Sequence, residues 1–327
     1  MSGNNQLSEI VATIHGSKTI LLATHVFPDG DALGSLIGLG DILESMGKHV
    51  VYYAEEEVTY LYDFLPCCDK IVTSVSEVGQ VDCVIALDCG DKLRLGAAME
   101  TLLSMHPVIV LDHHDGHKEF GDLRWVDFRM PSTGSIVYEL AGALGVDISY
   151  KAAYCLYTAI VSDTGSFKYA STTADTFRVA GELVAKGVKP EEIAGKLFDN
   201  FTENRLHLLQ LVLASLELFY DGELAVITAS KEMFQESGAQ PCDTETFINY
   251  PRSLAKVKIA AFFKENPDTV SVSLRSKGSA YDVAQAARQF GGGGHRNAAG
   301  FKVKGNPNID QIKENLFAVL QPLIANP

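Results

Sequence analysis

The sequence predicts an α/β protein of two domains: an N-terminal doubly wound, mostly parallel sheet, and a smaller C-terminal α/β domain with a mixed sheet. Three observations predict it. Short apolar runs alternate with amphipathic stretches through the first half, the pattern of strands separated by helices in a parallel sheet. The period changes after Asp221-Gly222, where further strand-like runs lie close together ahead of a helix and a run of four glycines. At 327 residues the chain is also long enough for two separate cores. The expected boundaries are 1–189 for the first domain, 190–221 for a helical linker and 222–327 for the second domain, with the active site in the cleft between them.

Taken in order, residues 18–24 read as a strand and 32–46 as a helix with apolar positions at helical spacing. Residues 50–54, 82–87 and 107–111 read as further strands. From 132 to about 186 the pattern is mostly helical, with Gly187 placed to end it. Pro190 opens the next helix, its usual place. Residues 203–220 read as one long connecting helix, stopped by Asp221-Gly222. Beyond it, 223–229, 257–264 and 269–274 read as strands, 282–290 as a helix running into the glycines, and 308–324 as a closing helix. There is no internal repeat.

Composition narrows the function. The first 18 residues are polar and lack the apolar core of a secretion signal. No apolar run approaches the roughly 18 residues of a membrane span, so a cytoplasmic location without membrane contact is expected. The six cysteines form no C-x-x-C pair, which argues against structural zinc and for reduced thiols. The net charge of −14 argues against binding long nucleic acid or duplex, which needs an extended basic track. The charge is uneven, however. Residues 252–304 hold ten bases against three acids, +7, which leaves −21 for the rest of the chain. A small anion could be held by the C-terminal part, although a solvated lysine face is the plain alternative.

The chemistry lies where apolar runs end. Ile20-Leu21-Leu22-Ala23 leads into His25, Asp29 and Asp31; Val84-Ile85-Ala86-Leu87 into Asp88; Val108-Ile109-Val110-Leu111 into Asp112-His113-His114; and an apolar helix into Asp163. In open α/β sheets the carboxyl ends of strands converge on one edge, where ligands bind. The turn Pro28-Asp29-Gly30-Asp31 can aim two carboxylates at neighbouring cations, and the alternative is a helix cap supplied by Asp31 alone. Asp88 is the natural bridging ligand, whereas Asp91 reads as a cap.

Adjacent side chains in an extended segment point apart, so 112–114 divide their labour. His113 is assigned to metal, Asp112 to fixing an imidazole tautomer, and His114 to the substrate as a proton or hydrogen-bond donor. His117 is the weaker candidate. The metal set is then His25, Asp29, Asp31, Asp88, His113 and Asp163. Oxygen and imidazole ligands without thiolates suit Mn²⁺ best, with Mg²⁺ or Co²⁺ as alternatives. Four carboxylates could hold two such ions ~3.5–4 Å apart and activate a bridging water for phosphoryl hydrolysis.

In the second domain, Gly291 to Gly294 can turn backbone N–H groups toward an anion. His295 and Arg296 follow, then small residues of helix-forming type and Phe301. Arg275 and Ser276 lie at a strand end, where Arg275 could grip phosphate, and Arg288 precedes the glycines. The expected substrate contacts are Arg275, Ser276, Arg288, Gly292, Gly293, Gly294 and His295.

These motifs, in this order and over nearly the whole chain, resemble the DHH phosphoesterase superfamily with its DHH-associated C-terminal domain. Residues 247–253 and 273–276 are most similar to its nanoRNase group. The resemblance implies an oligoribonuclease that degrades very short RNA to mononucleotides and removes the 3′-phosphate of 3′-phosphoadenosine 5′-phosphate. It also implies that Asp29 and Asp31 serve different metals, that Asp88 bridges, and that Arg275 and His295 contact substrate. A phosphodiesterase of cyclic or linear dinucleotides is the alternative within the family. Family II pyrophosphatases share the N-terminal motifs but lack the glycine–histidine signature. A non-catalytic nucleotide-binding module is disfavoured by the intact ligand set. A homodimer is compatible with the sequence but not readable from it.

Overall fold

The computed structural model describes residues 2–278, 280–305 and 307–325. It divides into two compact units, 1–200 and 201–327. The first runs α1 (Ser2–Gly16), β1 (Thr19–Thr24), α2 (Gly30–Ser45), β2 (His49–Tyr53), β3 (Ile71–Val72), β4 (Cys83–Leu87), α3 (Met99–Ser104), β5 (Val108–Asp112), β6 (Leu123–Val126), α4 (Thr133–Leu144), α5 (Tyr150–Asp163), α6 (Ala174–Ala185) and α7 (Pro190–Phe198). Its sheet has the order β3-β2-β1-β4-β5-β6, every pair parallel.

β1, β4 and β5 are buried along their whole length apart from Thr19, as expected of central parallel strands covered on both faces. Leu21, Ala23, Val84, Ala86, Val108 and Val110 pack with Leu95, Ala98 and Leu102 on one face. Their alternates, Ile20, Leu22, Ile85 and Ile109, are equally buried and by the period of two face the other side. α2 packs closely on α5, and α4 contacts both. At residue 30 that approach requires glycine: a Cβ there would lie 2.6 Å from the Ser162 Oγ. The strand order reverses between β1 and β4, so their carboxyl ends flank the switch-point crevice.

The second unit runs α8 (Glu203–Ala214), β7 (Glu217–Phe219), β8 (Leu224–Ala229), α9 (Lys231–Ser237), α10 (Asn249–Ser253), β9 (Ile259–Glu265), β10 (Thr269–Ser276), α11 (Val283–Arg288), β11 (Gly293–His295), β12 (Ala298–Lys304) and α12 (Ile309–Ala325). Its sheet, β11-β12-β10-β9-β8-β7, is mixed: β8 and β9 are parallel and the other pairs antiparallel. One face, with Leu224, Val226, Phe263 and Val272, packs on α11 and α12; the other, with Ala225, Ile227 and Phe262, packs on α8 residues Leu208, Leu209 and Val212.

Two local expectations fail. The helix expected over residues 203–220 ends at Ala214, and Glu217–Phe219 pairs with β8 instead. Ser215 makes the break: its hydroxyl accepts from the Thr228 N–H at 2.8 Å and reaches the Val212 and Thr228 carbonyls. The small residues after the glycines are not helical either. Ala298, Ala299 and Gly300 lie in β12 between β10 and β11, where pairing on both sides overrides their intrinsic preference. No helix among the described residues is long and apolar enough to cross a membrane, and all six cysteines are free.

Candidate metal centre

The carboxyl ends of β1, β4 and β5 and the last residue of α5 deliver one cluster. His25 follows β1, Asp88 follows β4, and Asp112 ends β5 with His113 and His114 directly after it. Asp88 takes a left-handed backbone, φ 58°, which short polar side chains tolerate better than most; its N–H donates to the Leu111 carbonyl at 3.0 Å. This conformation turns the chain at the switch point so that its carboxylate faces inward. One oxygen lies 3.3 Å from His25 Nε2, the other 3.4 Å from His113 Nε2. The Thr133 hydroxyl donates to the latter oxygen at 3.0 Å.

Asp29 and Asp31 are separated by function as well as by Gly30. Asp29 caps α2, accepting from the N–H groups of Asp31 and Ala32 at 3.0 and 3.1 Å. Asp31, which the sequence offered as the alternative cap, lies inside the helix. Its buried carboxylate accepts from the Thr133 and Gly134 N–H groups at 2.7 and 2.9 Å and from the Ser35 hydroxyl at 3.0 Å. Those two N–H groups open α4, so the positive end of that helix dipole anchors the carboxylate.

The donor atoms fall into two neighbouring groups: His25, Asp29 and Asp88 in one, and Asp31, His113 and Asp163 in the other, each within 4.8 Å. Asp88 is within reach of both, through its distances to His25 and His113. Asp112 and His114 form a third group with Asp88. His114 Nδ1 lies 2.7 Å from one Asp112 oxygen and 3.7 Å from Asp88.

The four histidines share one arrangement. Nδ1 of His25 meets the Val26 carbonyl at 2.9 Å, and that of His113 the Met130 carbonyl at 3.3 Å. Nδ1 of His114 and of His117 meets Asp112 at 2.7 and 2.8 Å. A carbonyl or carboxylate only accepts, so each Nδ1 carries a proton, and a ring in its neutral form presents an Nε2 lone pair. His25 Nε2 is buried without a hydrogen bond; its 3.3 Å approach to Asp88 is an ion-pair distance of poor hydrogen-bond geometry.

The electrostatics are those of a crowded anionic pocket. Burial, then the neighbouring Asp88, raises the Asp31 carboxyl well above the usual range. Partial burial, opposed by His113 and assisted by Asp29 and Asp88, pushes Asp163 up to about 6, although 32% of its side chain is exposed. Burial opposes the ionisation of Asp88, yet the adjoining His113 and His25 imidazoles hold it well below the usual range. Burial would lower His113, but Asp163, Asp88 and Asp31 raise it well above the ordinary imidazole value. Carboxylates this close share protons unless cations separate them. Nε2 lone pairs aimed among oxygens, one of them orphaned, fit oxygen- and imidazole-preferring divalent cations.

Sequence reasoning undervalued two side chains and missed two. His117, the weaker candidate, lies in the loop after β5, yet only 6% of its side chain is exposed and it holds the second Asp112 oxygen. Asp29, rather than Asp31, is the cap. Thr133 and Arg94 carry no motif signal; Arg94 Nη1 lies 3.4 Å from His114 Nε2. In the second unit Arg275 ends β10 and donates to the Leu274 carbonyl at 3.1 Å. The Ser276 hydroxyl is buried between the Tyr281 carbonyl at 2.7 Å and Asn297 Nδ2 at 2.8 Å. Arg288 is exposed on the last turn of α11. Gly292 immediately precedes edge strand β11, which Gly293, Gly294 and His295 form.

Comparison with known proteins places these motifs. Residues 19–160 match the DHH family, N-terminal domain, and residues 224–321 the DHHA1 domain. The chain is 32% identical over 316 residues to a Thermus thermophilus protein named bifunctional oligoribonuclease and PAP phosphatase NrnA, covering 96% of this chain and 92% of that one. It is 29% identical to the Bacillus subtilis protein of the same name, covering 94% and 97%. A Bacteroides fragilis crystal structure described as an exopolyphosphatase-related protein superposes with a TM-score of 0.90 at 27% identity, covering 99% of this chain and 98% of that chain. The exonuclease RecJ from Thermus thermophilus, solved in complex with Mn²⁺, shares the fold at a TM-score of 0.53 and 16% identity, covering 98% of this chain and 54% of that chain.

Proposed function

The chain belongs to the DHH family of phosphoesterases, in the two-domain form that ends in a DHHA1 domain, and from that membership we propose that it hydrolyses very short RNA to mononucleotides and 3′-phosphoadenosine 5′-phosphate to AMP. It is a hydrolase of phosphoester bonds. The observation that carries the reading is the convergence of His25, Asp29, Asp31, Asp88, His113 and Asp163 on the switch point, with Asp88 within reach of both donor groups. The near full-length likeness to the Thermus thermophilus protein supports the choice of substrates.

Those six side chains would hold two divalent cations, Mn²⁺ by preference, with Mg²⁺ or Co²⁺ as substitutes. Such ions, when bound, orient a phosphate and favour a hydroxide nucleophile near neutral pH. The chain's own residues prepare the pocket. Val26 and Met130 hold the His25 and His113 rings by their Nδ1 protons, and the start of α4 fixes Asp31. Asp112 orients His114 toward substrate, where its ring supplies a hydrogen bond or proton. Arg275, Ser276, Arg288, His295 and the backbone of Gly292, Gly293 and Gly294 are assigned to the rest of the nucleotide. The acidic surface, with a net charge of −14, disfavours long RNA. A cytoplasmic location follows from these substrates, and a homodimer is compatible with the reading.

The test is a comparison of rates with Mn²⁺ on RNA of two to five nucleotides, linear diadenylate, cyclic diadenylate and 3′-phosphoadenosine 5′-phosphate. Fastest turnover of short RNA and release of inorganic phosphate from 3′-phosphoadenosine 5′-phosphate are expected. A clear preference for cyclic diadenylate would replace this reading with the cyclic-dinucleotide phosphodiesterase.

A further inference from the structure

A linear network runs from the buried end of the 112–117 segment to the mouth of the acidic cluster: His117, Asp112, His114, Arg94. Asp112 is fully buried and takes one imidazole Nδ1–H on each oxygen, at 2.8 Å from His117 and 2.7 Å from His114. This fixes His114 with its proton on Nδ1, so Nε2 accepts from Arg94 Nη1 at the long distance of 3.4 Å. Gly90 permits the arrangement, because a Cβ there would stand 2.9 Å from the His114 Cβ.

The Arg94 backbone is clamped on both sides. Its carbonyl accepts from Val26 N–H at 2.8 Å, just past β1, and its N–H donates to the Asp91 carbonyl at 2.9 Å. Asp91 in turn is tied to Lys118 at 2.6 Å, beyond the histidines. The guanidinium therefore extends from a fixed backbone to its place beside His114, half-buried.

Its hydrogen bonding does not match its surroundings. Aspartates crowd the neighbouring pocket, yet no carboxylate lies within 4.0 Å of the Arg94 guanidinium among the described residues. The long contact to His114 uses one of five N–H donors, and no other acceptor among the described residues engages the rest. A guanidinium has a planar fork suited to two oxygens of one tetrahedral anion.

We infer that Arg94 is a phosphate-binding residue of this active site, its guanidinium passing from His114 Nε2 to an oxygen of the substrate phosphate. The inference rests on the phosphoesterase reading and adds a substrate contact to it. His114 then keeps its Nε2 beside the same phosphate, while His117 acts through Asp112 as a positioning residue.

The full chain, loaded with Mg²⁺, is compared as wild type, Arg94→Ala and Arg94→Lys. Metal content, melting temperature, calorimetric affinity for inorganic phosphate, and KM and kcat on linear diadenylate are measured. Arg94→Ala should weaken phosphate binding and raise KM together by ~10–100-fold, the span of a hydrogen bond to a charged group. Metal content should not change. Arg94→Lys should fall between, because it restores the charge without the fork.

Phosphate affinity and KM within twofold of wild type would overturn the inference. So would a fall in kcat alone, which would make Arg94 a prop for the His114 ring, or a loss of metal. If Arg94→Ala does not fold, Arg94→Lys decides alone: wild-type phosphate affinity and KM in it refute the contact. If wild type binds phosphate through Arg94 but hydrolyses none of the nucleotides, the contact stands and the proposed substrates fall.

Discussion

Replacing Asp112 by asparagine changes one atom and should disable the network on which His114 depends. Asp112 is 0% exposed and accepts two imidazole N–H bonds at 2.7 and 2.8 Å. Burial alone would raise its carboxyl, but those bonds hold it well below the usual range. An asparagine offers one acceptor oxygen and one NH₂ donor. One imidazole keeps its bond; the other faces a donor and must move its proton to Nε2 or break away. If that ring is His114, the proton arrives opposite Arg94 Nη1, donor against donor.

The loss is one charge-assisted bond, about 1.5–3 kcal/mol. In a unit of 200 residues this lowers the melting temperature by about 3–12 °C. Partners of this kind are worth roughly 10–100-fold in activity. The assay is thermal unfolding beside kcat/KM on diadenylate, with His117→Ala in parallel, since that variant frees one Asp112 oxygen without disturbing the His114 tautomer. It should lose stability but less activity than Asp112→Asn. If Asp112→Asn melts with wild type and retains activity within threefold, the two-imidazole bridge is not what orders His114.

Other consequences are as direct. Asp88→Ala removes the carboxylate within reach of both donor groups, so metal content and turnover should collapse together; retention of both ions at near-normal rates would refute the bridging role. Metal uptake should release protons, because His113 is held protonated well above its ordinary value and must offer a bare Nε2 to bind. Calorimetry in buffers of different ionisation enthalpy measures that release, and affinity should rise with pH. By linkage, the raised His113 stabilises the metal-free protein below about pH 6.5 and loses that contribution as pH rises through its folded value. RNA turnover should fall as length grows beyond a few nucleotides, and Arg275→Ala should weaken turnover with metals retained; equal rates on long unstructured RNA would exclude the short-substrate reading.

What could be read in the sequence was read at strand ends. β1, β4 and β5 are continuous apolar runs, and the residues after them are acids and imidazoles, so fold and cluster announce each other. The rest depends on contacts without a linear signal. β3 has two residues and the edge strand β6 is half-buried throughout, too little for a periodic pattern. α1 was passed over because its first residues are polar, although Ile10 and Ile14 are fully buried. The break at Ser215 depends on a hydroxyl reaching Thr228 across the β7–β8 pair. Arg94 and Thr133 approach the cluster from a short 3₁₀ helix and a helix start whose sequences, Asp-Lys-Leu-Arg and Ser-Thr-Gly, read as ordinary surface and cap.

The spread of the six donors along the chain, from position 25 to position 163, bears on how the protein is born. A zinc finger gathers its ligands within one short loop and lets the ion drive its folding. Here no local segment holds a full group: α2 must dock on α5, and β1 beside β4 and β5, before the oxygens meet. A ribosome-bound chain that has not yet extruded α5 therefore lacks the donor group that Asp163 completes. The scaffold must close first, against the mutual repulsion of its own carboxylates, and capture follows. Ion scarcity in the cell would then appear as a shorter lifetime of an otherwise folded chain, not as a failure to fold.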